Sequence, residues 1–148
     1  MKANHINEMR SFNRFYTAVI GVLNNKFLNS KYSLVDLRIL QAISFKDGVT
    51  ASDLIETLNI DKSYLSRILL RLEKDKLITR KASPLDGRSY HLHLTVRGKK
   101  EYQEHDKASD KHISEILARI DDGERNRLIS SMHQIKNILS KPAITKKR

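Results

Sequence analysis

Hydrophobic positions along the 148-residue chain follow two different periods, and the change between them outlines the fold. From the N-terminus, Met9, Phe12, Tyr16, Val19, Ile20, Leu23 and Phe27 recur at steps of three and four, the signature of one apolar helix face. Asn29-Ser30-Lys31 interrupts the stripe. Ser33-Leu34-Val35-Asp36 is a capping box, in which a hydroxyl at the N-cap and a carboxylate three residues on satisfy each other's backbone N–H. It opens a helix with Leu37, Leu40 and Ile43 inward, which Lys46-Asp47-Gly48 stops, Gly48 being suited to a left-handed turn. Thr50-Ala51-Ser52-Asp53 is a second box, opening a short helix with Leu54, Ile55 and Leu58 on one side. Asn59-Ile60 is a turn, and Asp61 N-caps a helix over about Lys62 to Lys74 with Leu65, Ile68, Leu69 and Leu72 as its core stripe.

Beyond Lys74 the period falls from 3.6 to 2. Leu77-Ile78-Thr79-Arg80 is a strand, and Ser83-Pro84-Leu85-Asp86-Gly87 carries turn chemistry. Tyr90, Leu92 and Leu94 alternate with His91 and His93 as a return strand, with the two histidines expected to face solvent. Two short helices joined by a tight turn and followed by a β-hairpin spell a winged helix-turn-helix. The remainder is helical again. Thr95 caps a charged segment from Val96 to about Arg119 with Ile113, Ile116, Leu117 and Ile120 on one face. Asp121-Asp122-Gly123-Glu124 starts a last helix carrying Leu128, Ile129, Met132, Ile135, Ile138 and Leu139, which Pro142 ends.

The predicted fold is therefore mainly α with one small hairpin, as a single domain over 1–148. Residues 33–95 form the winged helix-turn-helix, 1–30 and 96–140 a dimerisation region, and 141–148 a basic tail. The flanking helices carry more apolar surface than so small a module can cover, and a second copy is the simplest cover for it.

Composition narrows the chemistry. With no cysteine, there can be no disulfide, thiolate metal site, iron–sulfur cluster or thiol nucleophile. Only five glycines are present, and neither dinucleotide nor P-loop fingerprint occurs, so no cofactor is expected. No nucleophile–base constellation is visible, which argues against an enzyme. His91-x-His93 is the nearest approach to a metal motif, with His5, His105, His112 and His133 scattered elsewhere, and no metal site is expected. Neither an apolar run of ~18 residues nor a secretory h-region occurs, so no membrane association and a cytoplasmic location are expected.

Lys and Arg number 28 against 17 Asp and Glu, a net +11 that favours a polyanionic partner. The excess is spread evenly, at +4 over residues 1–49, +4 over 50–99 and +3 over 100–148, so charge alone marks no binding face. The helix over 62–74 does. Opposite its core stripe it offers Lys62, Ser63, Tyr64, Ser66, Arg67, Arg71 and Lys74. A helix that enters the major groove reads bases chiefly near its N-terminus, which selects Ser63, Tyr64, Ser66 and Arg67 as base readers. Arg71 and Lys74 lie farther along, and with Arg80 and Lys81 they are candidate phosphate contacts. Ser33 and Thr50 sit at helix N-termini that attract anions, although their first reading is as caps.

Asp86-x-Arg88 followed by Leu92-x-Leu94-Thr95-x-x-Gly98 resembles the wing signature of the MarR family of bacterial transcriptional regulators. Leu37-Arg38-Ile39-Leu40, Asp61-Lys62-Ser63-Tyr64-Leu65-Ser66-Arg67 and Leu72-Glu73 extend the likeness over nearly the whole chain. Arg10 to Thr17, Gly21-Val22-Leu23 and Tyr32-Ser33-Leu34 are similar to the subgroup in which this domain precedes a GNAT-type acetyltransferase, here expected to be absent. The resemblance implies a homodimeric, ligand-responsive repressor on a pseudo-palindromic double-stranded operator. It also implies that Arg88 enters the minor groove with Asp86 orienting it. For the first-helix aromatics it implies a dimer core, or a crevice lined by Phe12, Arg14 and Tyr16 for a small aromatic or anionic effector. Two other readings remain open: a non-specific architectural DNA binder, or a winged-helix protein-interaction module. One departure stands out, since Asp75-Lys76 occupies the turn where the family usually has glycine.

Overall fold

A computed structural model describes residues 3–21, 30–83 and 89–141. The chain gathers into two compact units, Met1–Ser109 and Asp110–Arg148. The elements are α1 (Ala3–Val19), α2 (Leu34–Phe45), α3 (Ala51–Leu58), α4 (Lys62–Lys74), β1 (Ile78–Ala82), β2 (Tyr90–Leu94), α5 (Val96–Leu117) and α6 (Asp122–Leu139). Among the described residues the only sheet is the antiparallel pair β1–β2, in register Ile78↔Leu94 through Ala82↔Tyr90. Val49 adds a single bridge to Leu92. This is the mainly α winged helix-turn-helix predicted from the sequence.

Both capping boxes form. Ser33 Oγ accepts from Asp36 N at 3.3 Å, while Ser33 N donates to Asp36 Oδ2 at 2.9 Å. Thr50 and Asp53 repeat the exchange at 3.2 and 2.9 Å. Asp61 caps α4 through Tyr64 N, and Asp121 caps α6 through Glu124 N. The core of the first unit lies where α2, α3 and α4 meet the hairpin: Leu37, Ile39, Leu40, Ile43, Val49, Leu54, Leu65, Ile68, Leu69, Leu72, Leu77, Ile78 and Leu92 are all buried. Ile39 is fully covered although it lies outside the predicted Leu37–Leu40–Ile43 stripe. The reason is that α2 contacts both α3 and the hairpin, so more than one of its faces is buried.

Helix α1 carries Met9, Phe12, Tyr16 and Val19 of the predicted stripe. It ends at Val19, and Gly21 takes φ 71° beyond it. Leu23 and Phe27 lie outside the described residues.

The turn from α4 into β1 is built around the residue that departs from glycine. Lys76 adopts φ 59°, its N–H donates to Glu73 O and the following Leu77 N–H to Leu72 O, both at 2.9 Å. That is a Schellman motif with lysine in the left-handed position, at a cost of about 1 kcal/mol relative to glycine.

Helix α5 starts against this same turn. Thr95 Oγ1 accepts from Gly98 N at 2.9 Å and donates to Lys76 O at 2.7 Å, while Thr95 N donates to Leu77 O at 3.0 Å. A Cβ on Gly98 would stand 2.0 Å from Leu77 O. The Thr-x-x-Gly spacing thus has a physical cause, a cap and a close backbone approach one turn apart.

In the second unit, Arg125 Nε donates to Leu117 O at 2.8 Å, closing the α5–α6 turn.

Gly98→Ala is expected to destabilise the protein by about 3 kcal/mol, because backbone rather than a flexible side chain must give way. Urea denaturation followed by circular dichroism checks this; an unchanged midpoint would refute the close approach.

Candidate nucleic-acid interface

Helix α4 turns one face entirely inward. Leu65, Ile68, Leu69 and Leu72 are each at most 3% exposed, whereas Lys62, Ser63, Tyr64, Ser66, Arg67, Arg71 and Lys74 are exposed. Because the inner stripe is packed on α3 and β1, the outer face is held in a fixed orientation. Its first turn contains no acidic side chain, and Arg71 and Lys74 occupy the last turn. All seven α4 residues singled out from sequence therefore lie on one accessible surface.

Two of the expected phosphate contacts already have partners inside the protein. Arg71 pairs through Nη2 with Asp36 Oδ1, and Asp36 is 2% exposed. Arg80 Nε lies 3.1 Å from Glu73 Oε2, with its side chain largely covered. Lys81 is exposed, opposite His91 across the hairpin. Asp86 and Arg88 fall outside the described residues, as does the rest of the wing tip. The hydroxyls of Ser33 and Thr50 are occupied by their capping boxes.

Sequence reasoning missed two features of this face. Asp36 was legible only as a cap, whereas it also anchors α4 to α2 through Arg71. Leu70 is 57% exposed and sits among the polar residues of the outer face. A helical projection from Ser63 would have found it, since positions 63, 66, 67, 70 and 74 fall on one stripe.

The hairpin root is fastened by the two histidines expected to face solvent. His91 Nδ1 lies 2.6 Å from Gly48 O, and His93 Nδ1 lies 2.7 Å from Asp47 Oδ1. Gly48 N donates to Leu92 O at 3.1 Å and Leu92 N to Val49 O at 2.9 Å, with Gly48 at φ 78°. The α2–α3 loop thus forms a third partial strand, and both rings are half-buried against it. The hydrogen bond from His93 holds the Asp47 carboxyl below the usual carboxylate range. Among the described residues no group of three ligand-type side chains is placed to hold a metal ion.

On α1, the rings of Phe12 and Tyr16 stack in parallel with centroids 5.8 Å apart. Ile6, Met9, Phe12, Phe15 and Tyr16 are all exposed, as is Arg14. Helix α6 likewise exposes Ile129, Ile135, Ile138 and Leu139. No helix among the described residues is long and apolar enough to cross a membrane.

Comparison with known proteins agrees with this architecture. Residues 31–89 match the model of the MarR family. The chain is 27% identical, over 91% of its length and 75% of the relative's, to a protein named for transcriptional regulation of the hcr operon in Thauera aromatica. It is 28% identical to the HTH-type transcriptional regulator MgrA of Staphylococcus aureus, over 85% of this chain and 82% of MgrA. Among solved structures, Streptococcus pneumoniae FabT in complex with DNA superposes with a TM-score of 0.76 at 20% identity, covering 93% of this chain and 97% of FabT.

Replacing His93 by alanine is expected to speed amide exchange at Gly48 and Leu92 and to move the Asp47 carboxyl up toward its ordinary value. The sign follows from the depressed pKa. Asp47's contribution is complete above the ordinary value of about 4 and is lost as pH falls through its own lower one. Exchange rates and a carboxyl titration by NMR check both, and unchanged exchange would show that the ring does not fasten the loop.

Proposed function

Because residues 31–89 match the model of the MarR family and the relatives named above are transcriptional regulators, we propose that this chain is a member of that family and a sequence-specific regulator of transcription that binds double-stranded DNA. In this reading it is a homodimeric, ligand-responsive repressor acting on a pseudo-palindromic operator. The observation that carries the reading is the outer face of α4: a helix locked by its core stripe, presenting hydroxyls and Arg67 near its N-terminus and Lys74 at its end. Hydroxyls and a bidentate guanidinium are what base edges in the major groove accept, and lysine suits phosphate. FabT, the structural neighbour described above, shares this fold and was solved with DNA.

Dimerisation is supported by the uncovered apolar side chains of α1 and α6, which a second copy would cover. A two-fold dimer brings two α4 helices to successive major grooves, ~34 Å apart. Repression then depends on that spacing, and an effector acts by binding the non-DNA spacing more tightly. Phe12, Arg14 and Tyr16 supply ring faces and a cation suited to a small aromatic or anionic effector. Arg88 and Asp86 are proposed as the wing contact and its orienting partner, with Lys62 and Lys81 along the phosphates, whereas Arg71 and Arg80, expected there from the sequence, are held by Asp36 and Glu73.

The test is fluorescence anisotropy, across a salt series, on duplexes recovered by selection from random-sequence DNA, with a scrambled duplex as control. A preference of ~10³-fold or more is expected. Arg67→Ala should cost about 1–3 kcal/mol on the selected duplex and relax its sequence preference, whereas Lys74→Ala should weaken both duplexes alike and flatten the salt slope by about one. Equal binding of wild type to both duplexes would favour the non-specific architectural reading instead.

A further inference from the structure

Leu70 stands at the centre of the face that the proposed function assigns to DNA. At 3.6 residues per turn it lies one turn beyond Ser66 and Arg67, one turn before Lys74 and two turns from Ser63. It is 57% exposed, while its sequence neighbours Leu69 and Leu72 are buried to 3% or less. A single exposed leucine has no meaning in itself. Its position gives it one, because every other side chain on this stripe is a hydroxyl or a cation.

An apolar side chain pressed against a base edge can neither donate nor accept. Opposite the amino and carbonyl groups of guanine, cytosine or adenine it displaces water and leaves those groups unpaired, which is costly. The major groove offers one apolar group, the 5-methyl of thymine. A leucine in the middle of a groove-lying helix therefore discriminates in two ways, by gain against thymine and by penalty against the other edges. Helices that lie along the groove do read bases from their middle turns. Arg71, next in sequence, is turned toward Asp36 and leaves this part of the stripe to Leu70.

We propose that Leu70 is a specificity-determining residue that contacts the 5-methyl group of thymine in the major groove, so that the preferred site carries thymine beneath the middle of α4. The inference rests on the DNA-binding reading above and deepens it.

The experiment compares wild type and Leu70→Ala on the selected duplex and on the same duplex with uracil replacing thymine, which removes the methyl groups and keeps the pairing. Wild type is expected to bind the thymine duplex about fourfold more tightly per contacted methyl, the worth of one buried methyl-sized group. Leu70→Ala should bind the two duplexes alike, and Leu70→Met should restore the preference. Alanine at an exposed helical site folds at least as well as leucine. A loss arising only from helix stability would weaken both duplexes equally and keep the thymine-over-uracil ratio, which would overturn the proposal. So would a wild type that distinguishes selected from scrambled DNA yet ignores the methyl groups. If neither duplex is preferred to the scrambled one by any variant, the DNA-reading assignment fails and the role of Leu70 falls with it.

Discussion

The orientation of α4 depends on one buried carboxylate. Asp36 is the only buried charged residue among the described ones, and every part of it is used. Its backbone N–H is capped by Ser33, Oδ2 accepts from Ser33 N, and Oδ1 meets the Arg71 guanidinium. A carboxylate taken out of water is costly unless fully paired, so the arrangement is held by the penalty of breaking it more than by its net worth. Because Arg71 sits at the edge of the outer face of α4, rotating that helix would strand Asp36. The start of α2 and the exposed stripe of α4 are thereby fixed to one another across 35 positions of sequence.

A second constraint closes the other end of α4. Three groups converge on the backbone of Leu77: the N–H of Thr95, its hydroxyl, and the bare Cα of Gly98. This explains how lysine survives at position 76 in a left-handed conformation. The Schellman bonds to Glu73 and Leu72, the burial of Leu77, and acceptance by Lys76 O of the Thr95 hydroxyl all require that backbone shape. Together they outweigh about 1 kcal/mol of conformational preference. Lysine thus occupies the left-handed position of a complete Schellman turn.

What the sequence made legible divides along the distance over which each interaction acts. The capping boxes at Ser33–Asp36 and Thr50–Asp53, the cap at Asp61, and the inward stripe of α4 are all set within four residues, and all are present. The hairpin followed from a change of period that no helix shares. The partners that cross between elements did not show: Asp36 with Arg71, Arg80 with Glu73, and His91 and His93 with the α2–α3 loop. Alternation placed the histidines correctly on one face of β2 but could not show that Gly48 and Asp47 would cover that face. Of the first-helix stripe, Met9, Phe12, Tyr16 and Val19 lie on α1, with Gly21 at φ 71° beyond its end.

These pairings change the meaning of the net charge. At +11 spread evenly along the chain, the protein looks like a general polyanion binder. Yet of the cations on α4 and β1, Arg71 and Arg80 are engaged by Asp36 and Glu73, and their work is to hold the helix and the hairpin root in place. Lys62, Arg67 and Lys74 on α4, with Lys81 on β1, have no carboxylate partner in the ion pairs described for this face. Since phosphate attraction scales with the number of cations that neutralise phosphates, the usable charge of the face is smaller than composition suggests. In the proposed reading, pairing Arg71 and Arg80 inside the protein lowers what this face gains from DNA regardless of sequence and raises the share left to groups that fit particular base edges. The hydroxyls, Arg67 and Leu70 are the groups proposed for that task, and a fixed helix matters to it because a helix free to rotate would present each of them to the wrong edge as often as to the right one.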